Sequence, residues 1–97
     1  MIVHIVAWKY KKETSEEMRQ DHIAQLVGLP GAIPDILSFE VGSDILRLER
    51  SYDTALVARF RDLGALNAYT DHPEHQKVAA IGRSVAEHVV SVDFPSE

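Results

Sequence analysis

Cysteine is absent from this 97-residue chain, so disulfides, thiol nucleophiles and thiolate metal sites are excluded. Long apolar runs are absent too. None approaches the roughly 18 residues of a membrane-spanning helix, and no membrane partner is expected. Basic residues are in the minority, with 10 Lys and Arg against 15 Asp and Glu and a net charge of −5. That balance argues against nucleic acid, which selects a basic face. The one basic cluster, Lys9-Tyr10-Lys11-Lys12, is too short to offset it. Neither a G-x-S-x-G turn nor a glycine-rich phosphate loop occurs, which removes the serine-hydrolase and nucleotide-cradle readings. Met1 leads directly into Ile-Val-His-Ile-Val without a basic leader or cleavage pattern, so no signal peptide is expected. A cytoplasmic protein fits these absences.

What remains is ordinary globular material, 45% hydrophobic and 26% charged, sized for one domain over residues 1–97. So short a chain has a modest stability margin, which oligomerisation would widen. Ile2 to Tyr10 reads as a strand with Ile2, His4, Val6, Trp8 and Tyr10 on one face and Val3, Ile5 and Ala7 on the other. Both faces are apolar, as in a strand covered on two sides. Thr14-Ser15-Glu16-Glu17 reads as a capping box with Thr14 as the cap. It opens a helix to about Gly28 whose inward stripe is Met18, His22, Leu26 and Leu29, with Ile23 and Val27 beside it. Pro30-Gly31 and Pro34 mark a loop. A second strand carries Leu37, Phe39 and Val41 inward, residues 43–51 form a connection, and Tyr52 to Phe60 is a third strand. Asp62 caps a short helix with Leu63, Leu66 and Tyr69. A further helix carries His75, Val78, Ala79, Gly82 and Val85, and His88 to Phe94 is the last strand. The order β-α-β-β-α-β, with its last helix broken in two, is that of the ferredoxin-like α+β fold, an antiparallel sheet with helices on one face. Its second apolar sheet face is accounted for by a homodimer.

The densest chemistry lies in Tyr69-Thr70-Asp71-His72-Pro73-Glu74-His75. Pro73 suits the first position of a helix and drives His72 out of the α region. Two helices meeting there would aim Tyr69 and His75 at one place. His72 reads as a cap or as a ligand contact, His22 as a partly buried polar group or a pocket residue, and His4 as a hydrogen-bonded core histidine or a site residue. His88 reads as surface. The strand face with His4 should look toward the helices bearing His22, Tyr69 and His75. Between them, Val6, Trp8, Met18, Leu26, Leu56 and Leu63 would line an apolar pocket with a few convergent polar groups, as small-molecule sites have. Histidine accepts a proton near neutral pH and tyrosine donates one, a pair suited to proton abstraction beside a carbonyl. The proline between His72 and His75 breaks the helix geometry a metal pair would use, and no HExxH triad is present. No metal or cofactor is expected.

Six segments carry a resemblance that spans essentially the whole chain: Met1-Ile-Val-His-Ile-Val, Ile33-Pro34-Asp35-Ile36, Phe39-Glu40-Val41-Gly42, Arg50-Ser-Tyr-Asp-Thr-Ala-Leu-Val57, Leu66-Asn-Ala-Tyr-Thr-Asp-His-Pro-Glu-His75 and Val92-Asp93-Phe94. Together they resemble the stress-responsive α/β-barrel (Dabb) family of the dimeric α+β barrel superfamily. The resemblance implies a ferredoxin-like subunit whose sheet packs on that of a partner to make a barrel-like dimer. It also implies a pocket between sheet and helices. A plant branch of the family includes a polyketide cyclase with a histidine–tyrosine acid–base pair. The matching positions here are His75 and Tyr69, with His4 as a supporting strand histidine. The expectation is a homodimer that binds a small apolar carbonyl or polyketide-like compound, with His75 as base and Tyr69 as acid. The alternatives are a non-catalytic, stress-associated dimer and a cofactor-free or haem monooxygenase-like protein.

Overall fold

The computed structural model describes residues 1–97. Elements follow in the order β1 (Ile2–Tyr10), α1 (Glu16–Val27), α2 (Leu29–Ala32), β2 (Ile36–Ser43), β3 (Thr54–Phe60), α3 (Leu63–Asp71), α4 (Pro73–Val85) and β4 (Ala86–Pro95). The strands form one antiparallel sheet in the order β2-β3-β1-β4. All helices cover one face of it, the ferredoxin-like α+β arrangement expected. β1 is paired on both edges, and the helices cover its face with Val6, Trp8 and Tyr10, leaving Val3, Ile5 and Ala7 on the other.

The core lies between sheet and helices. Val6, Trp8 and Tyr10 from β1, Leu56, Ala58 and Phe60 from β3, Leu26, Leu29, Leu66, Tyr69, Val78 and Val85 from the helices are all buried. Each large side chain fully removed from water contributes about 1.5–3 kcal/mol. On the opposite face Val90, Val92 and Phe94 of β4 are 48%, 60% and 41% exposed. They stand beside Ala7, Ile5 and Val3 of β1 in register.

Several local expectations give way. The α1 cap is Ser15, whose hydroxyl accepts from the Met18 N–H at 3.2 Å. Thr14 is buried instead and donates to the Val85 carbonyl at 2.7 Å. A tertiary partner has outcompeted the local cap, and this bond ties the start of α1 to the end of α4. Gly28 has φ −74°, so the helix ends without a left-handed residue and a side chain would be tolerated there. Met18, Val27 and Leu63 are exposed, because α1 and α3 bury narrower stripes than their apolar content suggests. Leu37 also faces out, at 49% exposure. The β2–β3 register shifts between Ile36 and Ser38, and such a bulge leaves the extra residue unpaired and re-aims its neighbours. Ile36, Phe39 and Val41 take the inner face. The Pro30-Gly31 stretch is a helical turn, α2, rather than a loop, and β3 begins at Thr54 rather than Tyr52.

Candidate functional site

The corner at Pro73 forms as its sequence dictates. Asp62 opens α3 by accepting from the Ala65 N–H at 2.9 Å. α3 ends at Asp71, and Pro73 takes the first position of α4. His72 between them has φ −64° and ψ 134°, and its Nδ1 accepts from the Glu74 N–H at 3.1 Å. His72 is thus the N-cap of α4, and its ring is committed to the backbone.

The corner brings Tyr69 and His75 together, with ring centroids 4.4 Å apart. The His75 Nδ1 lies 3.0 Å from the Thr70 carbonyl. A carbonyl only accepts, so Nδ1 carries the proton and Nε2 presents a lone pair. Burial pushes the His75 pKa below its usual 6.5, against the Thr70 carbonyl, which raises it; the Arg83 charge lowers it further. The ring is therefore neutral at pH 7. Tyr69 is 1% exposed, and its burial pushes the phenol up to about 12. It stays protonated, with an O–H to donate. Its hydroxyl has no protein partner, yet it is not sealed in: the buried unpaired side-chain atoms are His22 Nε2 and Ser38 Oγ.

Both residues line a cavity of about 320 Å³ between the helices and the β1–β4 side of the sheet. Its wall includes His4, Val6, Trp8, Leu26, Leu56, Val78 and Ala79, with Thr70, Arg83, Val89 and Ser91 completing it. Of the residues expected to contact a ligand, His4, Val6, Trp8, Leu26 and Leu56 are there beside Tyr69 and His75. His22 and His72 are not. His22 is fully buried behind Trp8, edge-on to the indole at 4.9 Å between centroids, with Nδ1 2.8 Å from the Tyr10 hydroxyl. Burial lowers its pKa, as for an imidazole kept neutral in the core. His72 is occupied by its capping bond. Met18 and Leu63, too, stand in solvent rather than in the pocket.

His4 holds a position the sequence left incomplete. Its Nδ1 bonds the Asp93 carboxylate, which faces it across the β1–β4 ladder. A carboxylate accepts, so Nδ1 again bears a proton, and the ring stands edge-on to that of Tyr69, 5.9 Å away. Carboxylate partners orient a catalytic imidazole in this way. Asp93 escapes a linear reading because only the strand register pairs it with His4. Arg83 was also missed, although it lies eight residues beyond His75 on one helix stripe. No group of three His, Asp or Glu side chains is arranged to hold a metal ion.

The arrangement can therefore place one unprotonated imidazole nitrogen, that of His75, and one neutral phenol beside one apolar space, with His4 next to them. Comparison with known proteins adds context. The chain is 23% identical to olivetolic acid cyclase from Cannabis sativa over 95 residues, covering 96% of this chain and 94% of that one. A dimeric ferredoxin-like protein of unknown function from Thermobifida fusca superposes with a TM-score of 0.90 at 29% identity, over 98% of this chain and 90% of the other. The fold also matches hydroxynitrile lyase from Passiflora edulis, with a TM-score of 0.87 at 18% identity over 96% and 90% of the two chains. The sequence model described as the stress responsive A/B barrel domain, Dabb, matches residues 2–96. With nearly every residue inside that match, the chain belongs to the Dabb stress-responsive A/B barrel family.

Proposed function

We propose that the protein is a cytoplasmic homodimer that binds a small, largely apolar carbonyl compound in each subunit and moves a proton at the carbon beside the carbonyl. One observation carries this reading: Tyr69 and His75, whose Oη and Nε2 have no protein partners, both line the same apolar cavity with their rings in contact. His75 takes the proton, and its pKa below 6.5 keeps it ready at neutral pH. Tyr69, un-ionised up to about 12, donates a hydrogen bond to the developing enolate oxygen, where charge appears in the transition state. His4, oriented by Asp93, is placed to relay or return the proton. A relative named as a cyclase and a structural neighbour named as a lyase are consistent with carbonyl acid–base chemistry on this fold.

The homodimer is supported by the open sheet face, where Val90, Val92 and Phe94 are bare. A second concavity of about 480 Å³ lies on the same face, over Gly42, Ala55 and Val57. Structural neighbours from Thermobifida fusca and Bacteroides fragilis are described as dimeric.

Solvent-deuterium exchange into an aryl alkyl ketone, followed by proton NMR, tests the chemistry without a known substrate. Wild-type protein should accelerate exchange about 10²–10⁴-fold over His75→Ala, the usual value of a positioned general base. Equal rates would end the catalytic reading. A ligand-dependent rise in melting temperature without exchange would leave a binding protein.

A further inference from the structure

Arg83 is the one permanently charged residue in the cavity wall, and no carboxylate lines that wall. It makes no salt bridge, as Arg50, Arg59 and Arg61 make none, but of these only Arg83 lines the cavity. It lies in the last turn of α4, where the helix carbonyls favour a cation, but no acidic side chain of the helix stands within a turn of it. The positions three and four residues before it are Ala80 and Ala79; Ala86 and Glu87, three and four after, belong to β4, and Glu87 lies against His88 rather than Arg83. An unpaired guanidinium beside an apolar cavity, in a chain of net charge −5, is a local positive field for an anion to meet. Its charge is already felt at the other end of the site, where it helps to keep His75 neutral.

The spacing fits a particular kind of ligand. Eight residues separate His75 from Arg83 on α4, about 12 Å along the axis at 1.5 Å per residue. Helical side chains lean toward the N-terminus, so the guanidinium reaches back over Ala79 and shortens that span. A ligand with its carbonyl at Tyr69 and His75 would need a few further atoms before its anionic group met Arg83. One guanidinium matches a carboxylate through two parallel N–H···O bonds. A phosphate ordinarily gathers several donors or a glycine-rich loop, and the chain has no such loop.

We infer that the cavity takes an oxo acid, with its ketone at the Tyr69–His75 end and its carboxylate on the Arg83 guanidinium. The inference rests on the small-molecule reading of the cavity and adds the substrate class and the residue that selects it.

The test uses a matched pair of stable probes, 4-oxo-4-phenylbutanoate and its methyl ester, titrated calorimetrically into wild type, Arg83→Gln and Arg83→Lys. Arg83 is exposed, so both variants should fold, and circular dichroism checks this. The acid should bind wild type about tenfold more tightly than the ester, as a hydrogen bond to a charged group provides. Arg83→Gln should erase that preference while keeping ester affinity, and Arg83→Lys should restore part of it. If both probes bind wild type equally, the pocket stands and the oxo-acid assignment falls. If the preference survives in Arg83→Gln, Arg83 is not the anchor. If neither probe binds, the small-molecule reading falls and this inference with it.

Discussion

The rings of Tyr69 and His75 lie 4.4 Å apart between centroids, tilted by 47°, on opposite sides of the proline corner. Tyr69 also packs on Phe60 at 4.9 Å and on His4 at 5.9 Å. The ring is thus architecture, while the hydroxyl bonds nothing in the protein. Tyr69→Phe should change stability by less than about 1 kcal/mol, since no intramolecular hydrogen bond is lost. Ketone exchange should nonetheless fall by about 10²-fold or more. Urea unfolding and NMR exchange on the same sample separate the two effects.

Acid should weaken the fold through two histidines. Burial holds the pKa of His22 and of His75 below the ordinary 6.5, to which both return on unfolding. Between the folded value and 6.5 the unfolded chain binds more protons. Stability is therefore full above about 6.5 and declines as pH falls through that window. Urea midpoints measured from pH 8 to 5 should show the decline, and His22→Leu should reduce its slope. The exchange rate should follow an acid limb in the same region, as His75 gains the proton that disables it as a base.

His72 tests the difference between a cap and a ligand contact. Removing its Nδ1 in His72→Ala leaves the Glu74 N–H without its acceptor and should cost about 0.5–2 kcal/mol, the range for lost caps. His72→Asn, which can cap in the same way, should recover most of this. Ligand affinity should stay level in both variants, and a large loss in His72→Asn would return the residue to the site.

Gly82 opens the last turn of α4, and within a helix alanine is ordinarily favoured over glycine by up to about 1 kcal/mol. Here the added Cβ would lie 2.8 Å from Trp8 Nε1 and 3.1 Å from His22 Nε2. Both rings are packed in the core, Trp8 6% exposed and His22 not at all, so the indole could move only at the expense of the cavity it lines. Gly82→Ala should destabilise by about 1–3 kcal/mol, as overpacking does. Trp8 is the sole tryptophan, so its fluorescence should report the displaced indole directly.

Val92, 60% exposed on the bare face of the edge strand β4, tests the dimer. Val92→Glu places a charge where a partner's apolar face would sit, and burying an unpaired charge is costly. Sedimentation should show a wild-type dimer and a variant shifted to monomer. A monomeric wild type would remove the homodimer from the proposal.

The residue order determined most of the framework. Alternation in β1, the β-α-β-β-α-β order, the Asp62 cap and the Pro73 corner are local signals, readable because they depend on neighbours within one turn or one strand. So were the seven residues Tyr69 to His75, and the placement of His4, Val6, Trp8 and Leu56 on one inner face. What tertiary structure alone decided involves competition or register. Thr14 had a local capping role available and took the Val85 carbonyl, 71 residues away, instead. The bulge beside Leu37 exists only against β3. His22 sits on the same helix stripe as Leu26, but Trp8 comes between it and the cavity. Asp93 meets His4 because the ladder sets those two residues opposite each other. Periodicity tells which face a side chain is on; only the packed neighbours decide whether that face meets core, cavity or solvent.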